Sequence, residues 1–151
     1  MTRFRFNLEK VLKLRQHHEQ EAKLELGKAI GALTEIENNI MRNAGAREQA
    51  SRERFSGLAA VGAGAHVGSA FSMFAWEGYI LRLEQEAERL AEEAAQAEQV
   101  VEEKRDLYIE ASRELKIMEK LKEKRAAEHR KETFAAETRE MDDMRRAKIS
   151  I

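Results

Sequence analysis

Four histidines, a wealth of carboxylates and one glycine-rich run are the features of this 151-residue chain from which a reaction could be built. The run "GAGAHVG" (62–68) resembles a phosphate-cradling loop, but its third glycine stands one place late and no strand precedes it; it reads as a turn. His17, His18, His66 and His129 include no pair at helical ligand spacing with a third ligand nearby, which argues against a metal centre. Carboxylates are spread over helical surface, and none is set apart by pocket-forming neighbours, so general acid/base catalysis has no anchor. The chain has no cysteine, which removes disulfides and thiolate ligands. "KLKEKR" (120–125) is interleaved with acid and lacks stacking aromatics, so nucleic acid is not expected as a partner. The expectation is a protein without enzymatic activity or cofactor.

What remains is the scaffold that would carry such side chains, and it is helical throughout. Charged residues make up 36% of the chain, aromatics 6%, and there is no proline, so nothing forces a helix to break and little apolar mass is available for a globular core. With 27 basic against 28 acidic residues the formal charge is -1, which offers no whole-molecule field to nucleic acid or an anionic membrane. No apolar run approaches the roughly 20 residues of a membrane span, and "MTRFRFNLEK" lacks a signal peptide's apolar stretch. A cytoplasmic protein without membrane insertion is expected.

Two seams repeat at alternating steps of four and three residues. The first runs Leu8, Leu12, Arg15, Glu19, Ala22, Leu26, Ala29, Leu33, Ile36, Ile40; the second runs from Trp76 through Leu83, Leu90, Ala97, Lys104, Tyr108 and Leu115 to Met118. The small residues and glycines of "SGLAAVGAGAHVGSAF" (56–71) separate them. The expected fold class is all-α: a long two-helix antiparallel coiled-coil hairpin with a C-terminal helical overhang, forming one domain. Helix 1 is placed at about 5–55, the turn at about 56–70 and helix 2 at about 71–147. If facing residue numbers add to 123, Glu19 meets Lys104 and Arg15 meets the Tyr108 ring, so the polar seam residues fix the register.

That register leaves helix 2 without a partner beyond about residue 119. There, 17 of the 28 residues from Glu119 to Arg146 are charged, with Lys124–Glu128, Arg139–Asp143 and Asp142–Arg146 at pairing distance along a helix. Leu121, Phe134, Met141 and Met144 then have nothing of their own to pack on. A helix from about 71 to 146 would be on the order of 110 Å long. Near the turn, Phe71, Phe74, Trp76 and Tyr79 exceed what a two-helix tip can bury, so either the loop folds over them or they form a docking patch.

Three stretches resemble one known family. The pattern Phe6, Leu8, Val11, Leu12, Leu14, Arg15, Glu19 in "FRFNLEKVLKLRQHHEQEA", the stretch "WEGYILRLEQEAERL", and "LKEKRAAEH" followed by "EMDDM" are similar, in that order and spacing, to the FliJ family of flagellar type III export proteins. Met141, Asp142 and Asp143 stand where that family carries a Leu-Asp-Glu triplet. The resemblance implies a cytoplasmic export component, peripherally associated with the apparatus at the flagellar base. Its termini would enter the hexameric flagellar export ATPase as a central stalk, promoting ring assembly and activity. Its hairpin tip would reach the membrane export gate protein, and it would exchange export chaperones. Carried onto this chain, the ring-binding residues are Phe6, Arg15, Leu121, Lys122, Arg125, Phe134, Met141, Asp142 and Asp143. The gate-binding residues are Tyr79, Leu83 and Leu90, of which the register above buries the last two. The rival readings are a plain coiled-coil scaffold and a hairpin holdase chaperone, neither with an ATPase partner.

Overall fold

The computed structural model describes residues 3–62 and 68–149; residues 63–67, His66 among them, and the Phe71 side chain lie outside the described residues. Two helices make up the architecture, α1 (Glu9–Gly62, 54 residues) and α2 (Gly68–Ile149, 82 residues), and they pack against each other as an antiparallel hairpin. Residues 56–62 and 68–70, assigned above to the turn, are helical. Helix formation has no local opponent there, because glycine lowers propensity by only about 1 kcal/mol and the chain has no proline.

The chain divides into a terminal unit, Met1–Leu24 with Asp106–Ile151, and a central unit, Glu25–Arg105. In both, the 4–3 pattern is the buried side. In the central unit Leu83, Leu90, Val101 and Ala50 are buried, and every other seam residue from Leu26 to Gly57 is at least half-shielded; Leu12 does the same in the terminal unit. The core is thus one residue thick, as expected of two helices that share a stripe.

The register differs from the paper expectation by one heptad. In the terminal unit Arg15 pairs with Glu114, and Glu9 with Lys122 at 2.8 Å. In the central unit Glu25 pairs with Lys104 at 3.8 Å, and Leu33 lines a groove with Ala95, Glu98 and Val101. Facing residue numbers therefore add to about 130, not 123, in each unit. Lys104 faces Leu26 and does not meet Glu19. The physical reason is the length of the cationic side chains. Arg15 and Lys104 reach across the seam's edge to carboxylates beside it, so neither needs an opposite charge inside the seam.

α1 is preceded by a non-helical strap, Arg3–Phe6, and a turn at Asn7 and Leu8. Leu8 O accepts the first helical bond from Leu12 N (2.9 Å), and Phe6 O accepts from Glu9 N (3.2 Å). The Phe4 ring lies 5.6 Å from the His129 ring at a tilt of 57°. Four strap residues thereby cover the seven α2 residues between the Leu8 layer and His129. Extended chain advances roughly 3.3 Å per residue against 1.5 Å for a helix, which makes this possible. The overhang is correspondingly shorter than expected: residues 134–148 are all exposed, whereas Leu121, Lys122, Ala126, His129 and Thr133 are not.

Candidate interaction sites

Two surfaces correspond to the residues singled out from sequence. The first is in the terminal unit. Leu121, expected above to have nothing of its own to pack on, lines one groove with Phe4, Phe6, Leu8, Arg125 and His129, so it has a local partner after all. Phe4 and Phe6 are half-buried while Arg3 and Arg5 are exposed, the alternation of an extended segment with one face down. Arg15 is engaged by Glu114 and Lys122 by Glu9. The i,i+4 partners expected at Lys124–Glu128, Arg139–Asp143 and Asp142–Arg146 do not come within ion-pair distance among the described residues; the pair formed in this stretch is Arg125–Glu128, at 3.9 Å.

Beyond Thr133 the helix carries Phe134 (72% exposed), Met141 and Met144 in the open. At about 100° per residue these three fall within roughly 80° of one another, on the side of α2 roughly opposite Leu121. Asp142 and Asp143 lie beside them and are also exposed. The terminal unit therefore has α2 covered on one side by the strap as far as Thr133, and a bare stretch of helix beyond it.

The second surface is in the central unit. Tyr79 is 38% exposed, its ring edge-on to Trp76 with centroids 5.9 Å apart. Leu83 (8% exposed) and Leu90 (4%) are core residues, so neither is free at the surface to contact a partner directly. Asn43, 6% exposed, packs beside them: its Nδ2 donates to Leu83 O at 3.0 Å, while its Oδ1 and the Nε of Arg47 are buried without a hydrogen-bond partner.

Around this polar step the hydrophobic pattern is inverted. Asn43, Arg47, Ala50, Arg54 and Gly57 occupy the α1 seam, while Phe55, Leu58, Phe74 and Leu81 point to solvent. Sequence reading found Phe74 and missed Phe55 and Leu58. The signal was present, because the 4–3 step places Arg54 and Gly57 in the seam and leaves their large neighbours outside. Further along, the Glu25 carboxyl is held below its usual range, chiefly by its hydrogen bond and charge interaction with Lys28 and secondarily by Lys104; Lys28 is raised in turn by Glu25.

Among the described residues no group of three or more potential metal ligands converges, and no helix is long and apolar enough to cross a membrane. The fold and these surfaces define a coiled-coil hairpin protein that presents exposed helix faces. Among known families, the model described as "Flagellar FliJ protein" matches residues 4–149, nearly the whole chain, and the protein belongs to that family. It is a component of flagellar protein export. Comparison with curated proteins and with solved structures gives no match.

Proposed function

We propose that this chain is the central stalk of the hexameric flagellar export ATPase, promoting ring assembly and activity, with its terminal unit in the ring and its tip at the membrane export gate. The observation that carries this reading is the bare end of α2: from Phe134 to Lys148 a charged helix continues with no partner of its own, displaying Phe134, Met141 and Met144 on one side. A solitary helix in water has only weak i,i+4 support, so a partner that surrounds it supplies the stabilisation it lacks. Ring contacts are assigned to Phe6, Arg15, Leu121, Lys122, Arg125, Phe134, Met141, Asp142 and Asp143. Gate contact is assigned to Tyr79, with Leu83 and Leu90 acting through the packing beneath it. Exchange of export chaperones belongs to the same reading, as does a cytoplasmic position at the flagellar base.

ATP hydrolysis by the cognate export ATPase, measured with the full chain and with a chain ending at Thr133, tests it. Stimulation by the full chain only is the expected result. No stimulation by either, both being helical, returns the protein to a plain scaffold. A second reading, a hairpin holdase, is favoured by the inverted pattern at Phe55, Leu58, Phe74 and Leu81; it expects the shortened chain to retain full activity in suppressing aggregation of a client.

A further inference from the structure

Both seams repeat every seven residues without interruption from Leu8 to Gly57 and from Met73 to Lys122, so sliding one helix past the other by a heptad keeps every seam residue in the seam. Most antiparallel pairs are locked against this by large knobs or by seam charges. Here the seam holds alanine at 22, 29, 50, 87, 94, 97 and 111, and Leu12, Leu83, Leu90 and Val101 are the large side chains that are buried. The cross-helix ion pairs Arg15–Glu114, Glu25–Lys104 and Glu9–Lys122 sit at the half-exposed edges, where such pairs contribute little. The observed register leaves Asn43 Oδ1 and Arg47 Nε unpartnered in the core, whereas a slide of one heptad gives Lys104 a carboxylate again, Glu19 in place of Glu25. Towards the loop-side end of α1, a Cβ added to the seam residue Gly57 would meet nothing within 4 Å among the described residues, so the seam is loosely filled at that layer.

We infer that the hairpin has two registers in exchange: the observed one, in which Ala29 faces Val101, and a second, one heptad away, in which Ala29 faces Ala94. Ratchets of one element past another by a single turn are an established type of switch; this slide is two turns, about 10 Å. In the second register Leu8 moves from the Lys122 layer to the Leu115 layer, the strap follows, and about seven further residues of α2 become uncovered at its C-terminal end. Under the stalk reading, on which this consequence rests, the slide would convert an event at the tip into a longer free helix at the ring.

Cysteine trapping in the full chain, which carries no native cysteine, tests the exchange without any partner. Three pairs are oxidised at high dilution and the intramolecular product is followed with time: A29C/V101C, A29C/A94C and A29C/A87C. In the observed register a position seven residues away is displaced by roughly 10 Å along the axis, beyond disulfide reach. The expected result is fastest closure for the first pair, with the second closing at least roughly tenfold faster than the third, which reports only general opening. Closure of A29C/A94C no faster than A29C/A87C overturns the second register. Success of the trap together with failure of ATPase stimulation would leave the two registers standing and remove the stalk reading alone.

Discussion

Asn43 is the residue at which the seam departs most from a simple apolar stripe. It makes one hydrogen bond, to Leu83 O, and leaves its Oδ1 unpaired, so its net contribution is close to balanced: about 1 kcal/mol from the bond against a similar or larger desolvation cost. Asn43→Leu is expected to stabilise the hairpin by about 1 kcal/mol, raising Tm by roughly 2–4 °C in thermal circular dichroism. A lower Tm would show that the Leu83 bond outweighs the orphaned oxygen. Of the residues proposed to contact the gate, Tyr79 and Leu83 differ in burial. Tyr79→Ala removes a ring lying partly in solvent and should leave Tm within about 2 °C while weakening gate binding; Leu83→Ala removes a buried side chain and should cost about 2–3 kcal/mol. Equal losses of stability would reassign Tyr79 to the fold. Glu25 adds a small pH dependence. Its carboxyl is depressed by Lys28 and Lys104, so the stability it contributes is present above the ordinary carboxylate pKa and is lost as pH falls through the lowered one. Glu25→Gln should flatten the acid limb of a Tm-against-pH curve in that range; an unchanged limb would show that the pairing is lost in water.

At the level of elements, the strap before α1 does what another turn of helix could not. Four residues in extended form bring Phe4 to His129 and close the groove over Leu121. The double change Phe4→Ala with Phe6→Ala should leave helicity unchanged and raise amide exchange in α2 selectively between Leu121 and Thr133, by roughly tenfold or more, because those amides lose their apolar cover. Uniform exchange along α2 in both proteins would mean that the strap contributes no protection. The helices themselves were readable from composition and from the 4–3 step. Their ends were not: α1 persists to Gly62 because a helix stops where something better competes for its backbone, and the glycines here supply weak propensity but no competitor.

For the molecule as a whole, near-neutrality conceals an uneven distribution. The terminal unit carries 18 basic and 14 acidic side chains, the central unit 9 basic and 14 acidic. The chain is therefore near-neutral while neither unit is. Salt screens charge interactions beyond about 8 Å at physiological ionic strength, so a partner of one unit is steered by that unit's own excess. Stimulation of the export ATPase by the full chain should accordingly require more protein as salt rises from 50 to 300 mM. A half-maximal concentration independent of salt would assign the contact to the apolar face of Phe134, Met141 and Met144.

The heptad pattern alone determined the fold class, the two helices, the seam residues from Leu8 to Ile40 and from Trp76 to Met118, and the presence of an uncovered C-terminal helix, since each follows from periodicity and from where apolar residues stop. Only the tertiary structure decided the register, the length of the overhang and the partial cover over Leu121. A heptad repeat is invariant to a shift of seven, so every layer that fits at one register fits nearly as well at the next. The choice between them falls to contacts outside the repeat: the reach of Arg15 and Lys104 to flanking carboxylates, and a strap whose extended backbone no helical period records.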